Sequence, residues 1–172
     1  GVKQVVFGGS LLIYPETPQG IDQATQPAPL SGYGRAKLEA EKRMQALAAS
    51  AGIRFVSLRL PHVYGAHSLL FDQVRHGNII FPGRGTNLFA NLHVGDAATA
   101  LIRAAEMELE GLWVIADDQS CTWNDFFETA QTYYPRLRVP HIPQPIAYAG
   151  ARLLDLIFPA VGSSSCSPRG TV

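Results

Sequence analysis

The stretch GYGRAKLEAEKRMQALAASAGIRFVSLRL, residues 32–60, predicts a helix, a glycine stop and a buried strand in succession. Residues 32–51 are rich in Ala, Leu, Glu, Lys and Arg, which favour helix, and Gly52 is the residue type that commonly ends one. The following run at 53–60 alternates and branches like a strand, and it is broken at Pro61. We expect the helix to bury one stripe, formed by Ala36, Ala40, Met44, Leu47 and Ala48.

Strand and helix signals continue on both sides of this stretch. A β-branched run at 2–9 predicts a strand that ends at Ser10. The other expected elements are helices at about 68–76, 95–110 and 146–158, a helix capped by Thr122 or Ser120, and a strand at 112–117. Strands that alternate with helices favour a parallel sheet with right-handed crossovers. The predicted fold class is therefore α/β.

Composition and charge exclude several classes of function. The 172 residues include 14 basic and 14 acidic side chains, so no basic field attracts nucleic acid or anionic lipid. No apolar run reaches the roughly 18 to 20 residues needed to cross a bilayer, and the first residues lack the pattern of a signal peptide. Cys121 and Cys166 lie far apart without metal-ligating spacing. We expect a cytoplasmic protein with no nucleic-acid partner, no membrane partner and no metal.

Tyr33 and Lys37 stand four residues apart in the first turns of the predicted helix. Residues at this spacing lie one above the other, so the two head groups reach the same region of space. A nearby cation favours the phenolate form of a tyrosine and makes the phenol a usable proton acceptor. An exposed aromatic residue beside a solvated lysine is the simpler interpretation, and the pair alone does not decide between them.

Four pieces of the chain carry a resemblance to a known family. They are GVKQVVFGGSLLIY (1–14), YGRAK (33–37), LRLPHVYG (58–65) and NLFANLHVGDAATALIRAAE (87–106). Ser10 stands in the first piece at the carboxyl end of a predicted strand, where parallel sheets collect functional groups, although an ordinary turn also explains a serine after two glycines. In this order and spacing, the chain resembles the extended short-chain dehydrogenase/reductases, or NAD-dependent epimerase/dehydratases, from residue 1 to about 157.

The resemblance implies a role for five residues and a cofactor, NAD or NADP. Tyr33 would be the catalytic acid/base, Lys37 would favour its phenolate and bind the nicotinamide ribose, and Ser10 would hold the reacting hydroxyl or carbonyl. Leu60 and His62 would approach the nicotinamide and the substrate, although His62 is equally explained as a histidine that satisfies backbone groups. Family members often dimerise through the helix that carries Tyr33 and Lys37, which implies a homodimer.

Three further residues have a possible role and a simpler structural explanation. Arg84 could bind a substrate phosphate from its loop, but an exposed loop arginine beside two glycines is the simpler interpretation. His93 and Asp96 match the start of a helix in the family's HVxD pattern, where a structural capping role is expected.

Departures from the family pattern bear on completeness and on substrate. The GxxGxxG cofactor fingerprint is absent from residues 1–172, and GGS at 8–10 precedes a proline-rich loop instead of a phosphate-facing helix. Leu11 and Leu12 replace the acidic pair of the dehydratases, which disfavours dehydration. Phe89 and Ala90 replace the arginine and acidic residue of many nucleotide-sugar epimerases, and GRGTNLFANLHV is similar to 3β-hydroxysteroid dehydrogenase-like members. A sugar-nucleotide and a sterol-like substrate both remain open.

The resemblance therefore predicts an incomplete Rossmann-like, doubly wound parallel sheet that holds the last strands of such a fold. The predicted domain covers 1–158, with a small substrate-binding subdomain at about 65–93 and 118–158, followed by a disordered tail at 159–172. The predicted activity is that of an NAD(P)-dependent oxidoreductase or epimerase acting on a secondary alcohol or ketone. The alternative is a truncated fragment without cofactor that serves as a non-catalytic interaction module.

Overall fold

A computed structural model describes residues 1–15, 20–21, 25–77, 79–147 and 149–150. Its strands, in chain order, are β1 (Gln4–Ser10), β2 (Arg54–Leu60), β3 (His62–Tyr64), β4 (Phe81–Pro82), β5 (Leu88–Phe89), β6 (Asn91–His93), β7 (Gly111–Val114), β8 (Cys121–Thr122) and β9 (His141–Ile142). The helices are α1 (Gly32–Ser50), α2 (Leu69–His76), α3 (Val94–Glu106) and α4 (Trp123–Tyr133), and a short 3-10 turn covers Leu11–Ile13. The residues divide into two compact units: unit 1, with Gly1–Gly65 and Ala90–Asp118, and unit 2, with Ala66–Phe89 and the residues from Gln119 onward.

Unit 1 is built on a parallel sheet in the order β1, β2, β7. β1 pairs with β2 along its whole length, from Gln4 opposite Arg54 to Ser10 opposite Leu60. β7 pairs with β2 from Val56 opposite Gly111 to Arg59 opposite Val114. Because parallel strands point the same way, the carboxyl ends of β1 and β2 lie side by side at one edge.

Helices cover both faces of this sheet. Val56 and Leu58 of β2 pack with Ala104 of α3 into a buried cluster on one face. The intervening Ser57 hydrogen-bonds to Glu41 of α1, and successive side chains of a strand point to opposite faces. A parallel sheet with α1 on one face and α3 on the other confirms the predicted α/β fold class.

The structure ends the third helix earlier than the sequence predicts. α3 stops at Glu106 instead of 110, and Glu108 adopts the left-handed conformation with φ 53°. The Leu109 amide then donates to the Ala104 carbonyl at 3.0 Å, and the Leu109 side chain packs against the cluster around Val56. Met, Glu and Leu are good helix formers, but the chain leaves the helix here because Leu109 packs against this cluster. The next strand begins at Gly111 and ends at Val114, three residues before the predicted end.

Unit 2 has a separate apolar core. Its buried residues come from α2, α4 and the segments beside them: Val74, Ile79, Phe127, Ala130 and Leu137. Two short ladders complete the unit, β4 with β9 in parallel and β5 with β8 antiparallel. α2 begins after its cap Ser68 and ends at His76, and the cap residue Gly77 follows with φ 69°, as predicted.

A capping box fixes the start of α4. Thr122 is the cap, not the alternative Ser120, because its hydroxyl accepts from the Asp125 amide while the Asp125 carboxylate accepts from the Thr122 amide. The Thr122 amide and the Thr122 hydroxyl both donate to the Asp125 carboxylate, and these hydrogen bonds to its charged form lower the pKa of Asp125 below its ordinary value of 3.8.

The last predicted elements are described only in part. Residues 144–147 and 149–150 are helical, in agreement with the start of the helix predicted at 146–158. The rest of that helix and the predicted tail at 159–172 lie outside the described residues. Within the described ranges, no helix combines the length and the apolar character that crossing a membrane requires.

Candidate functional site

Ser10 lies at the carboxyl edge of the unit 1 sheet, directly opposite Leu60 in the register of β1 and β2. Its side chain is buried, and its Oγ accepts a hydrogen bond of 3.2 Å from the Leu12 amide. This bond caps the 3-10 turn that follows β1. A hydroxyl can accept and donate at the same time, so Ser10 can still donate its hydrogen to a ligand oxygen.

Helix α1 begins beside this turn. Ser31 caps the helix by accepting from the Gly34 amide at 3.0 Å. Gly34 packs so closely against the turn that a Cβ there would lie 2.1 Å from the Leu12 carbonyl oxygen and 3.0 Å from Pro29 Cβ. The missing side chain at Gly34 therefore brings the first turn of α1, and with it Tyr33, to the segment that follows Ser10.

Gly34→Ala tests this close approach. We expect a loss of stability of about 1–3 kcal/mol, because the added methyl group meets backbone that has to move. Gly32→Ala is the matched control in the same helical turn, where the nearest atom is the end of the Arg35 side chain at 4.0 Å. The two variants are compared by urea unfolding. Equal stabilities would show that the helix start is not in tight contact with the turn.

Tyr33 and Lys37 are brought together as the helical spacing predicts. The Lys37 Nζ lies 5.9 Å from the centre of the Tyr33 ring and 5.6 Å from the centre of the Phe7 ring. It donates a hydrogen bond of 3.2 Å to the Gly8 carbonyl oxygen, two residues before Ser10. The Tyr33 side chain is accessible, with 55% of the residue exposed. This arrangement places an ammonium group between a phenol and the end of β1.

Leu60 and His62 follow at the end of β2 and the start of β3. Leu60 packs against the cluster of Val56 and Leu58, and β3 pairs in parallel with β6, with His62 opposite Asn91. His62 is exposed over part of its surface, yet the withdrawal of its imidazole from water lowers its pKa below the ordinary value of 6.5. Its ring therefore favours the neutral form.

Arg84 belongs to unit 2, whereas the other candidate site residues belong to unit 1. Its side chain is exposed in a loop between Gly83, with φ 93°, and Gly85, with φ 70°. His93 caps α3, because its Nδ1 accepts from the Gly95 amide at 3.2 Å, and Asp96 lies in the first turn of that helix. The capping function predicted for His93 is confirmed.

A buried polar cluster that the sequence patterns do not predict lies between α1 and the sheet. Glu41 is only 3% exposed and Arg59 only 7%. Arg59 Nη2 lies 2.7 Å from Glu41 Oε1, and Arg59 Nε lies 3.2 Å from Glu41 Oε2. Ser57 donates to Glu41 Oε2 at 2.6 Å, and Arg59 also donates to the Tyr14 hydroxyl. We name this set the buried network: Tyr14, Glu41, Ser57 and Arg59.

The inward position of Glu41 shows that the predicted apolar stripe of α1 is wrong in part. Ala48 is buried and Ala40 and Met44 are half-buried, but Ala36 and Leu47 are exposed. The buried face is rotated towards Glu41 because Arg59 offers that carboxylate a partner. Two features of the sequence could have indicated the buried network: a charged residue four positions after Lys37 and an arginine in an apolar strand.

The homodimer predicted through α1 stays a prediction.

Desolvation by burial acts to lower the pKa of Arg59, but the hydrogen bond and charge of Glu41, followed by Tyr14, raise it above its ordinary value. The guanidinium therefore stays charged in the interior, and the carboxylate of Glu41 is its counter-charge.

A parallel sheet with helices on both faces, whose strand ends meet at one edge, defines the Rossmann-like class of α/β proteins. The family described as NAD dependent epimerase/dehydratase matches residues 1–116. The chain belongs to this family, which confirms the resemblance found in the sequence.

Known proteins are similar to the chain over part of their length. The chain is 27% identical to MoeE5, which was solved in complex with UDP-glucose and NAD. The two structures align with a TM-score of 0.73, and the alignment covers 83% of this chain and 52% of MoeE5. UDP-N-acetylglucosamine 4-epimerase from Methanobrevibacter ruminantium shares the fold, with 24% identity, a TM-score of 0.73 and coverage of 83% and 50%. An uncharacterised protein of Sinorhizobium fredii is 27% identical over 139 residues, 74% of this chain and 39% of that protein. The chain thus spans about half the length of the solved structures it matches.

Proposed function

We propose that the protein containing this chain is an NAD(P)-dependent oxidoreductase or epimerase that acts on a secondary alcohol or ketone. The observation that carries the proposal is the position of Lys37, whose Nζ lies 5.9 Å from the Tyr33 ring centre and donates to the carbonyl of Gly8, two residues before Ser10. Family membership and the NAD complex of MoeE5 support the choice of cofactor.

The donor set of unit 1 fits the nicotinamide end of such a cofactor. An ammonium has three N–H donors, and its hydrogen bond to Gly8 uses one, so Lys37 can also bind ribose hydroxyls. The phosphate-binding fingerprint is not within residues 1–172, so these residues account for one end of the dinucleotide only. When bound, the nicotinamide ring supplies the chemistry of hydride transfer.

The proposed roles follow from the chemistry of each side chain. Tyr33 takes the hydroxyl proton of the alcohol during oxidation and returns it during reduction. Lys37 places a cation beside the ring of that phenol. Ser10 donates a hydrogen bond to the reacting oxygen and holds it near Tyr33. In this proposal Leu60 and His62 face the nicotinamide and substrate.

Two substrate classes are compatible with this proposal. The sugar-nucleotide ligands of the solved relatives support a sugar nucleotide, and in that case Arg84 would bind a phosphate. An apolar alcohol of the sterol type is supported by the sequence, because Phe89 and Ala90 stand where many nucleotide-sugar epimerases carry an arginine and an acidic residue.

The test assays the full-length protein with NAD⁺ or NADP⁺ and two groups of substrates. UDP-sugars should be epimerised without net formation of reduced cofactor, whereas a 3β-hydroxysteroid should be oxidised with accumulation of NADH or NADPH. We expect turnover in one of the two groups, slowed by deuterium at the reacting carbon because hydride transfer breaks that bond. Folded protein that turns over neither group with either cofactor would contradict the proposal.

A further inference from the structure

The buried network, Tyr14, Glu41, Ser57 and Arg59, joins three segments that carry the proposed site residues. Glu41 lies one helical turn after Lys37 on α1, and Tyr14 directly follows the turn that Ser10 caps. Arg59 occupies β2 next to Leu60, the residue opposite Ser10. Its guanidinium donates to both Glu41 and Tyr14. One side chain therefore links the helix of Lys37 with the turn after Ser10.

The buried network packs closely against strand β1 at Gly9. A Cβ at Gly9 would lie 2.8 Å from Ser57 Oγ and 3.2 Å from Glu41 Oε2. The last three residues of β1 thus have separate contacts. The Gly8 carbonyl accepts from Lys37, Gly9 lies against the network, and Ser10 caps the following turn. A displacement of the network would move both neighbours of Gly9.

The buried charges of Glu41 and Arg59 are not explained by a gain in stability. Removing two charges from water costs several kcal/mol per ion, and apolar residues of similar size often replace a buried ion pair without loss of stability. A bidentate arginine–carboxylate pair, by contrast, fixes distance and orientation. Arg59 meets Glu41 through two nitrogens, Nε at 3.2 Å and Nη2 at 2.7 Å.

We propose that the buried network is a positioning device that fixes Lys37 relative to Ser10 around the phenol of Tyr33. This inference rests on the proposed function, because it concerns the same site. None of the four network residues touches substrate or cofactor in this proposal. They act through the backbone of β1, the turn after it and α1.

The first test compares Glu41→Gln with Glu39→Gln in the full-length protein. Glutamine keeps the shape of the side chain and removes its charge. Glu39 is the matched control, because it lies on the same helix and pairs with Arg43 at 2.7 Å on the exposed side. We expect Glu41→Gln to lower kcat by about tenfold to 10²-fold with little change in KM, as for a small misplacement of reacting groups. Glu39→Gln should turn over like the wild type.

Tyr14→Phe is a second, milder variant in case Glu41→Gln folds poorly. It removes only the hydroxyl that accepts from Arg59 and keeps the ring 5.2 Å from the guanidinium carbon. We expect kcat to fall in the same direction. An unchanged kcat in both variants, or a higher KM with unchanged kcat, overturns the inference even if the melting temperature drops.

A double-mutant cycle separates positioning of Lys37 from a general effect. If the network acts through Lys37, Glu41→Gln should have little further effect on the residual turnover of Lys37→Met. An equal fold loss in both backgrounds overturns the inference. The proposed function has its own criterion, because it fails if Tyr33→Phe retains turnover. If Tyr33→Phe is inactive while Glu41→Gln and Tyr14→Phe match the wild type, only the positioning inference fails.

Discussion

Tyr33→Phe is expected to lower kcat by about 10²-fold to 10⁴-fold, the usual contribution of a positioned acid/base group. Phenylalanine keeps the ring that lies 5.9 Å from Lys37 Nζ and removes only the hydroxyl. The affinity for NAD(P) should therefore stay nearly intact, because Lys37 and its hydrogen bond to Gly8 remain. Steady-state kinetics of the full-length protein, together with a cofactor-binding titration, measure both quantities.

Tyr133→Phe is the control for this prediction. Tyr133 is also an exposed tyrosine on a helix, 79% accessible at the end of α4, and has no proposed role in the reaction. It should keep the kcat of the wild type. Retained turnover in Tyr33→Phe would remove the proposed proton transfer, and an equal loss in both variants would show an effect unrelated to the site.

Glu41→Ala is expected to destabilise the protein by about 3–5 kcal/mol, because it leaves the Arg59 guanidinium charged and without its counter-ion in the interior. Ser57 loses the acceptor of its 2.6 Å hydrogen bond at the same time. Urea unfolding of the purified protein, followed by circular dichroism, gives the change in free energy. The exposed pair on the same helix should contribute far less, so Glu39→Ala should cost about 0.3–0.5 kcal/mol.

Removing both charges provides a sharper comparison. The double variant Glu41→Ala with Arg59→Met should lose less unfolding free energy than the two single variants lose when their losses are added, since no uncompensated charge stays buried. If the free energy of unfolding of Glu41→Ala lies within about 1 kcal/mol of the wild-type value, water reaches Arg59 and the pair is not buried in solution.

The elements of unit 1 were predictable where local signals mark both of their ends. α1 begins and ends within one residue of its predicted limits, because Ser31 caps its start and Gly52 follows its end with φ 64°. The spacing of Tyr33 and Lys37 likewise predicted that their side chains share one region, which the structure shows. Their catalytic roles stay predictions, because geometry alone does not test them.

The features that were missed depend on contacts between distant segments. Helical periodicity treats a glutamate as a surface residue, so it cannot assign Glu41 to the inside without knowing that Arg59 lies opposite. The early end of α3 has a similar origin, because Leu109 leaves the helix to pack against Val56. In both cases tertiary packing overrides a local preference.

The chain passes between the two units three times, so neither unit is a continuous segment. β4 pairs with β9 from Phe81 to His141, and β5 pairs with β8 from Phe89 to Cys121. When residues 66–89 leave the ribosome, β4 and β5 are present, but their pairing partners β9 and β8 have not yet been translated. Pairing strands that are far apart in the sequence is slow, so we expect unit 2 to finish folding only after β7 has paired in the sheet of unit 1.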